Sequence, residues 1–416
     1  MRQDCLLKRF LRYVSIDTTA REGAETYPSS AGQLELGAVL VEELRAMGLE
    51  RVRQDDHGIV TATLPASADP TLPAIAFCAH LDTSPETSGA GVKPQVIEKY
   101  PGGDLVLPGD RARVIRTADN PELADLIGRT IITTDGTTLL GADDKSGVAV
   151  IMEAAAYLAE HPEIEHGPLR ICFTCDEEIG RGVDHLDLVE LDATVCYTLD
   201  GQGADRIDVE TFSADLALVT VRGVNIHPSI AKGRMTNAVR VAADLVGRLP
   251  RHTLAPETTE DRQGFLHPYE ITGGVAEVNL RILLRDFQTD ELARMADLLR
   301  AHAAASEAGF PGSKIDVAIR PQYRNMAEGL AKDPRAVAHA ERALERLGHS
   351  AQRTVVRGGT DGSRLTELGL PTPNLACGQH TPHSPLEWAC LEEMSQAVRW
   401  LVAISQVWAE EKRGDH

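Results

Sequence analysis

Five stretches of this 416-residue chain carry side chains able to hold a divalent metal ion. They are "PAIAFCAHLD" with His80 and Asp82, "TTLLGADDKSG" with Asp143 and Asp144, "LRICFTCDEE" with Glu177 and Glu178, "ATVCYTLDG" with Asp200, and "PTPNLACGQHTPHSPLE" with His380, His383 and Glu387. Imidazole and carboxylate are ligands of borderline divalent ions, Zn2+ above all, and oxygen-rich sets shade toward Mn2+ or Co2+. One residue from each stretch, His80, Asp143, Glu178, Asp200 and His383, makes five ligands. A single ion needs three or four. Five suit two ions about 3.5–4 Å apart that share a bridging carboxylate, activate a water and polarise a carbonyl. Of two adjacent carboxylates at a strand end, one can ligate while the other faces that water as general base, which serves amide hydrolysis. Asp82, two residues beyond His80, is placed to accept from the second ring nitrogen and so fix the tautomer.

Each stretch alone has an ordinary explanation. Adjacent glutamates commonly form a solvated rim, and "GADDKSG" can be a capped helix start with Asp favoured by the dipole. Their joint occurrence argues otherwise, because most of them end an apolar, strand-like run. Asp143 and Asp144 instead stand just ahead of the helical stretch "VAVIMEAAAYLAEH". Continuous apolar strands alternating with helices predict an α/β fold, a mostly parallel sheet with helices on both faces. Sites on such sheets lie outside the carboxyl ends of the strands, so all five stretches are predicted to converge on one sheet edge.

Between residues 213 and 322 the pattern changes. "DLALVTVRG" reads as a strand, "TNAVRVAADLVGRL" as an amphipathic helix, and "VAEVNLRILLRDF" as a strand with Ala276, Val278, Leu280, Ile282 and Leu284 in alternation. A helix, "TDELARMADLLRAHAAASEAG", and a strand, "KIDVAIR", follow. Alternation marks an antiparallel sheet with one buried face. The expected organisation is a catalytic domain in two parts, 1–212 and 323–416, with a smaller α+β domain inserted at 213–322. The stretch from Thr83 to Thr138, rich in Pro, Gly and short polar runs, is read only as an excursion from the sheet.

An apolar share of 43% with 25% charged residues belongs to a folded globular chain, long enough for two domains. A formal net charge of -20 and no basic patch disfavour nucleic-acid or anionic-membrane partners. No run of about 18 apolar residues occurs, and the first residues show helical spacing rather than the features of a signal peptide. Cys172 and Cys175 have C-x-x-C spacing, but in a strand they point to opposite faces and cannot bind one ion or cross-link. Unpaired cysteines in apolar runs fit a reducing compartment, so the expected location is the cytoplasm.

"HLDTSPE", "TTDGTTLLGADDKSG", "FTCDEEIGRG", "YTLDG", "GVNIHPSIAKGRMTNA", "RGGTDGSRL" and "HSPLE" together resemble the peptidase T, or tripeptide aminopeptidase, branch of a two-zinc metallopeptidase family. That family also contains carboxypeptidases, dipeptidases and amino-acid deacylases. The likeness runs in order over nearly the whole chain. It implies a zinc-aminopeptidase-like fold with an inserted, ferredoxin-like lid, two Zn2+ per subunit that Co2+ or Mn2+ can replace, and short peptides as substrates. It makes Asp143 the bridging carboxylate, His80 and Asp200 the partners of one zinc, and Glu178 and His383 those of the other. Glu177 becomes the general base and Asp82 orients His80. His383 is preferred to His380 because the family's ligand precedes a Glu by four positions, as His383 precedes Glu387; the role of His380 stays open. A cis peptide between Asp143 and Asp144 is also implied. His227 matches a lid histidine that reaches the scissile carbonyl, and Arg285, Arg357 and Asn325 are candidates for the substrate. Cys175, where the branch commonly has proline, and the loop "GQHTPHSPLEW" depart from its pattern. A binding protein without catalysis on the same fold is the alternative from another class, and oligomeric state is not legible.

Overall fold

The computed structural model describes residues 3–67 and 69–411. The chain divides into two compact units: the second comprises Glu210–Ala327 and Val355–Gly359, and the first the remaining described residues.

The first unit is built on an eleven-stranded sheet. Four strands form its parallel centre, in the order Leu169–Thr174, Ile75–His80, Val195–Gln202 and Asn374–His380. Ile75–His80 is buried along its whole length, as expected of a strand covered on both faces. The flanks are antiparallel: Val60–Leu64 and Glu50–Gln54 on one side, Trp388–Cys390, Ile131–Thr133 and Gln95–Ile97 on the other. The sheet is therefore parallel where four of the five stretches lie and antiparallel around them, while the fifth, with Asp143 and Asp144, opens a helix.

The two faces are covered unequally. Helices Gln3–Val14, Ala31–Ala46, Ala142–Glu160, Arg335–Arg346 and Leu391–Ala409 supply Phe10, Leu40, Ile151, Leu344 and Trp400 to the main core. The opposite face carries a smaller cluster with Cys78, Cys172, Cys196, Val183 and Leu365 under the short helix Asp361–Glu367. Cys172 and Cys175 belong to different clusters, and all seven cysteines are unbonded. The excursion from Thr83 to Thr138 contributes the last two strands on one side of the sheet, Ile131–Thr133 and the edge strand Gln95–Ile97, and a small core around Tyr100, Leu107, Leu123 and Trp388. Among the described residues no helix is long and apolar enough to cross a membrane.

The second unit runs strand Ser213–Arg222, helix Ala238–Arg248, strands Phe265–Gly273 and Glu277–Asp286, helix Thr289–Gly309 and strand Lys314–Tyr323. Its sheet order, with Ser213–Arg222 and Glu277–Asp286 central, is the ferredoxin-like arrangement. Val278, Leu280, Ile282 and Leu284 face the helices, in the alternation read from the sequence, whereas Ala276 lies exposed before the strand.

Candidate metal centre

His80 is the last residue of the central strand Ile75–His80 and is 2% exposed. Its backbone N–H donates to Asp144 Oδ2 at 3.1 Å, so the second Asp of the pair supports the strand end that carries the imidazole. Asp143 and Asp144 open the helix Ala142–Glu160 with non-helical backbone, behind Gly141 at φ +80°, and the bond between them is cis. Asp200 lies near the end of Val195–Gln202, where Asn374 Oδ1 accepts its N–H at 2.9 Å and Gln379 Nε2 donates to its Oδ1 at 3.2 Å. His383, at φ +61°, stands on the loop between Asn374–His380 and Trp388–Cys390.

These side chains meet. Asp143 Oδ1 lies 3.0 Å from His80 Nε2, which is 3.8 Å from Asp200 Oδ1. Asp143 Oδ2 lies 3.4 Å from His383 Nε2, which is 2.9 Å from Glu178 Oε2. The two oxygens of one carboxylate thus face two different pairs of potential ligands. Among the described residues no lysine or arginine pairs with Asp143, Glu178 or Asp200, and Glu178 Oε1 is buried without a hydrogen-bond partner. Buried carboxylates without a cation are costly, so the donor set fits divalent metal ions. A compact grouping of ligand atoms is formed by His80, Asp143 and Glu178, and another by His80, Asp144 and Asp200.

Protonation follows from the same crowding. Burial pushes Glu178 up to about 8 and Asp200 up to about 6, each aided by repulsion from Asp143. Asp143 itself is held below the carboxylate range: burial opposes this, but the two imidazoles outweigh it. Burial would lower His383, yet Asp143 and Glu178 carry it to about 12.

The turn Glu177–Ile179 follows Asp176, whose φ of +63° swings the chain out of the strand. Asp82, fully buried, accepts Glu177 N–H on Oδ1 at 3.1 Å and Glu178 N–H on Oδ2 at 3.0 Å. His80 Nδ1 lies 3.1 Å from the Asp82 carbonyl and 3.4 Å from its Oδ1. The imidazole's hydrogen bond thus goes to the Asp82 backbone carbonyl, with the carboxylate at ion-pair distance, and the carboxylate has a role missed in the sequence: it straps down the Glu177–Glu178 turn. Burial holds the Glu177 carboxyl well above the usual range, with Asp361, Asp200 and Glu178 adding to it and His80 opposing. His380 is not among these groups: it stacks on Trp388 at 3.7 Å between centroids, with Nε2 2.6 Å from Glu393 Oε2 and Nδ1 3.4 Å from Glu122 Oε1.

The remaining candidates belong to the second unit. His227 Nδ1 accepts Ser229 N–H at 3.3 Å and lies 2.7 Å from Ser229 Oγ. Arg285 donates to Gln322 Oε1 at 2.7 Å and covers the Tyr323 ring. Arg357 donates to the carbonyls of Asp261, Gln263 and Thr259 and to Thr259 Oγ1. Asn325 Nδ2 donates to Glu210 Oε1 and Phe287 O, and its Oδ1 accepts from Thr211 and Ala327. Arg357 and Asn325 are thus engaged inside their own unit, a commitment that residue type and spacing do not reveal.

The fold and this cluster define a metallopeptidase-like class, and comparison with known proteins makes it specific. Residues 135–406 match the model of "Peptidase family M20/M25/M40", and the chain belongs to that family. It is 42% identical over 410 residues to Peptidase T of Geobacillus kaustophilus (strain HTA426), covering 99% of each chain. Among solved structures it resembles aminopeptidase PepT of Bacillus cereus ATCC 10987, with a TM-score of 0.74 and 25% identity over 98% of this chain and 99% of that one. The YXEP protein of Bacillus subtilis, described as a dinuclear metal binding peptidase from the M20 family, shares the fold with a TM-score of 0.63 and 14% identity over 98% and 99% of the two chains.

Proposed function

We propose that this protein is a two-zinc aminopeptidase that removes the first residue of short peptides, tripeptides above all, with Co2+ or Mn2+ able to replace zinc. The observation that carries the reading is the division of Asp143, one oxygen toward His80 and Asp200 and the other toward Glu178 and His383. The full-length identity with Peptidase T supports the choice of substrate. Asp143 would hold both ions, with His80 and Asp200 completing one site and Glu178 and His383 the other. Bound there, two such ions would supply Lewis-acid polarisation of the scissile carbonyl and an activated water.

The chain's own groups do the rest. Glu177 takes the proton from water and returns it to the leaving amine. Asp82 fixes the direction of that carboxylate through the backbone of the turn. By accepting from Ser229, His227 Nδ1 leaves the ring proton on Nε2, the tautomer that donates to a developing oxyanion. Arg285 is the group we assign to the peptide carboxylate, since a guanidinium pairs with it in bidentate fashion. Arg357 and Asn325 enter as supports, being held by partners in their own unit. The second unit is the lid on this reading, and the unbonded cysteines support a cytoplasmic location.

Mass-spectrometric product analysis tests this with the zinc-loaded protein, one tripeptide, its N-acetylated form and its C-terminal amide. Release of the first residue from the free tripeptide, with the acetylated form inert, is expected. Loss of the acetyl group or of the last residue would move the protein to a deacylase or carboxypeptidase, and no product from any substrate would make it a binding protein.

A further inference from the structure

We propose that Glu387 is a positioning residue that locks the His383 loop onto the backbone of Asp143, so that its loss weakens one metal ion of the pair far more than the other. The inference rests on the two-ion reading above. Glu387 is 1% exposed, and its carboxylate accepts three backbone N–H groups from one turn. Oε1 takes that of Asp143 at 2.9 Å, and Oε2 takes those of Leu140 and Gly141 at 2.7 Å each. Gly141 is left-handed, which allows successive N–H groups to point inward at one anion.

The other end of the clamp is the His383 loop. Glu387 N–H returns to Ser384 O at 3.1 Å, and Leu386 N–H to Ser384 Oγ at 3.0 Å, which closes the turn between His383 and Glu387. Beyond these bonds, the His383 carbonyl accepts from Thr87 Oγ1 at 2.9 Å. His80 and Asp200 have a different support. They stand on strands that pair directly, Phe77 with Tyr197 and Cys78 with Thr198, without help from Glu387. Asp143 is shared by both sides, but its neighbour Asp144 also ties that turn to the His80 strand end, whereas the His383 loop is tied to it through Glu387, so the Glu178–His383 side depends on Glu387 more than the His80–Asp200 side does.

Glu387→Gln keeps the size of the side chain but turns an NH2 group toward backbone donors. The metal-free, full-length protein is titrated with Co2+, followed by calorimetry and visible absorption. The wild type takes up two equivalents. In E387Q the tighter equivalent stays within about threefold of wild type and the other weakens about 10–100-fold, the usual scale for groups that orient ligands. A role confined to stability would lower the melting temperature without separating the two equivalents. Equal weakening of both, or of neither, would overturn the assignment. Wild type binding fewer than two ions would instead overturn the two-ion reading, and this inference with it. If E387Q does not fold, E387D, which keeps the charge but withdraws the oxygens, carries the same expectation.

Discussion

At the scale of single residues, Glu177 and Glu178 share one turn and differ in what they face. Glu178 Oε2 is 2.9 Å from His383 Nε2, while Glu177 makes no ion pair there among the described residues. Glu177→Ala is expected to keep both metal equivalents and lose about 10²–10⁴ in turnover, checked by metal analysis beside steady-state kinetics. An unchanged rate would falsify the assignment of the base. His380 gives a pH dependence instead. Burial lowers its pKa, but Glu122 and Glu393 raise it overall. A folded-state pKa above the unfolded value means stability fully present below about pH 6.5 and lost as pH rises through the folded value. Thermal melts of wild type and His380→Gln should thus differ most near pH 6 and converge at alkaline pH; a difference that grows with pH would contradict this.

At the scale of elements, the helix Ala142–Glu160 delivers Asp143, and the strand Val195–Gln202 delivers Asp200. They approach at Gly147, where a Cβ would come within 2.0 Å of Leu199 O and 2.3 Å of Asp144 Oδ1. Gly147→Ala should cost about 1–3 kcal/mol or more in chemical denaturation and weaken both metal equivalents. The strands that end at the site were legible because they are continuous apolar runs in the parallel centre. The strand Phe265–Gly273 was not, since it lies at a sheet edge and mixes Pro268, Glu270 and Thr272 with its apolar residues. Trp388–Cys390 and Gln95–Ile97 are too short to show a period. The choice of His383, which stands on a loop, over His380 rests on the family resemblance, but the stretches that carry the five proposed ligands could be singled out by residue type where apolar runs end or a helix begins. The straps made by Asp82 and Glu387 could not, because each bonds backbone far away in sequence.

At the scale of the whole molecule, each unit has its own core. Val219, Leu245, Ile282 and Leu299 pack within the second unit, and no residue of the metal cluster lies there. Leu299→Ala, at a fully buried position, should cost about 2–5 kcal/mol in denaturant melts while leaving Co2+ affinity as in wild type. Weakened metal binding would show that the first unit relies on the second for its site.

The central claim is that one carboxylate, Asp143, divides two metal ions between two pairs of ligands. Anomalous diffraction at the zinc edge, from crystals of the zinc-loaded protein, tests it most directly. The account predicts two peaks about 3.5–4 Å apart, one beside His80 and Asp200 and the other beside Glu178 and His383. A single peak, or a second peak away from Asp143, would contradict it.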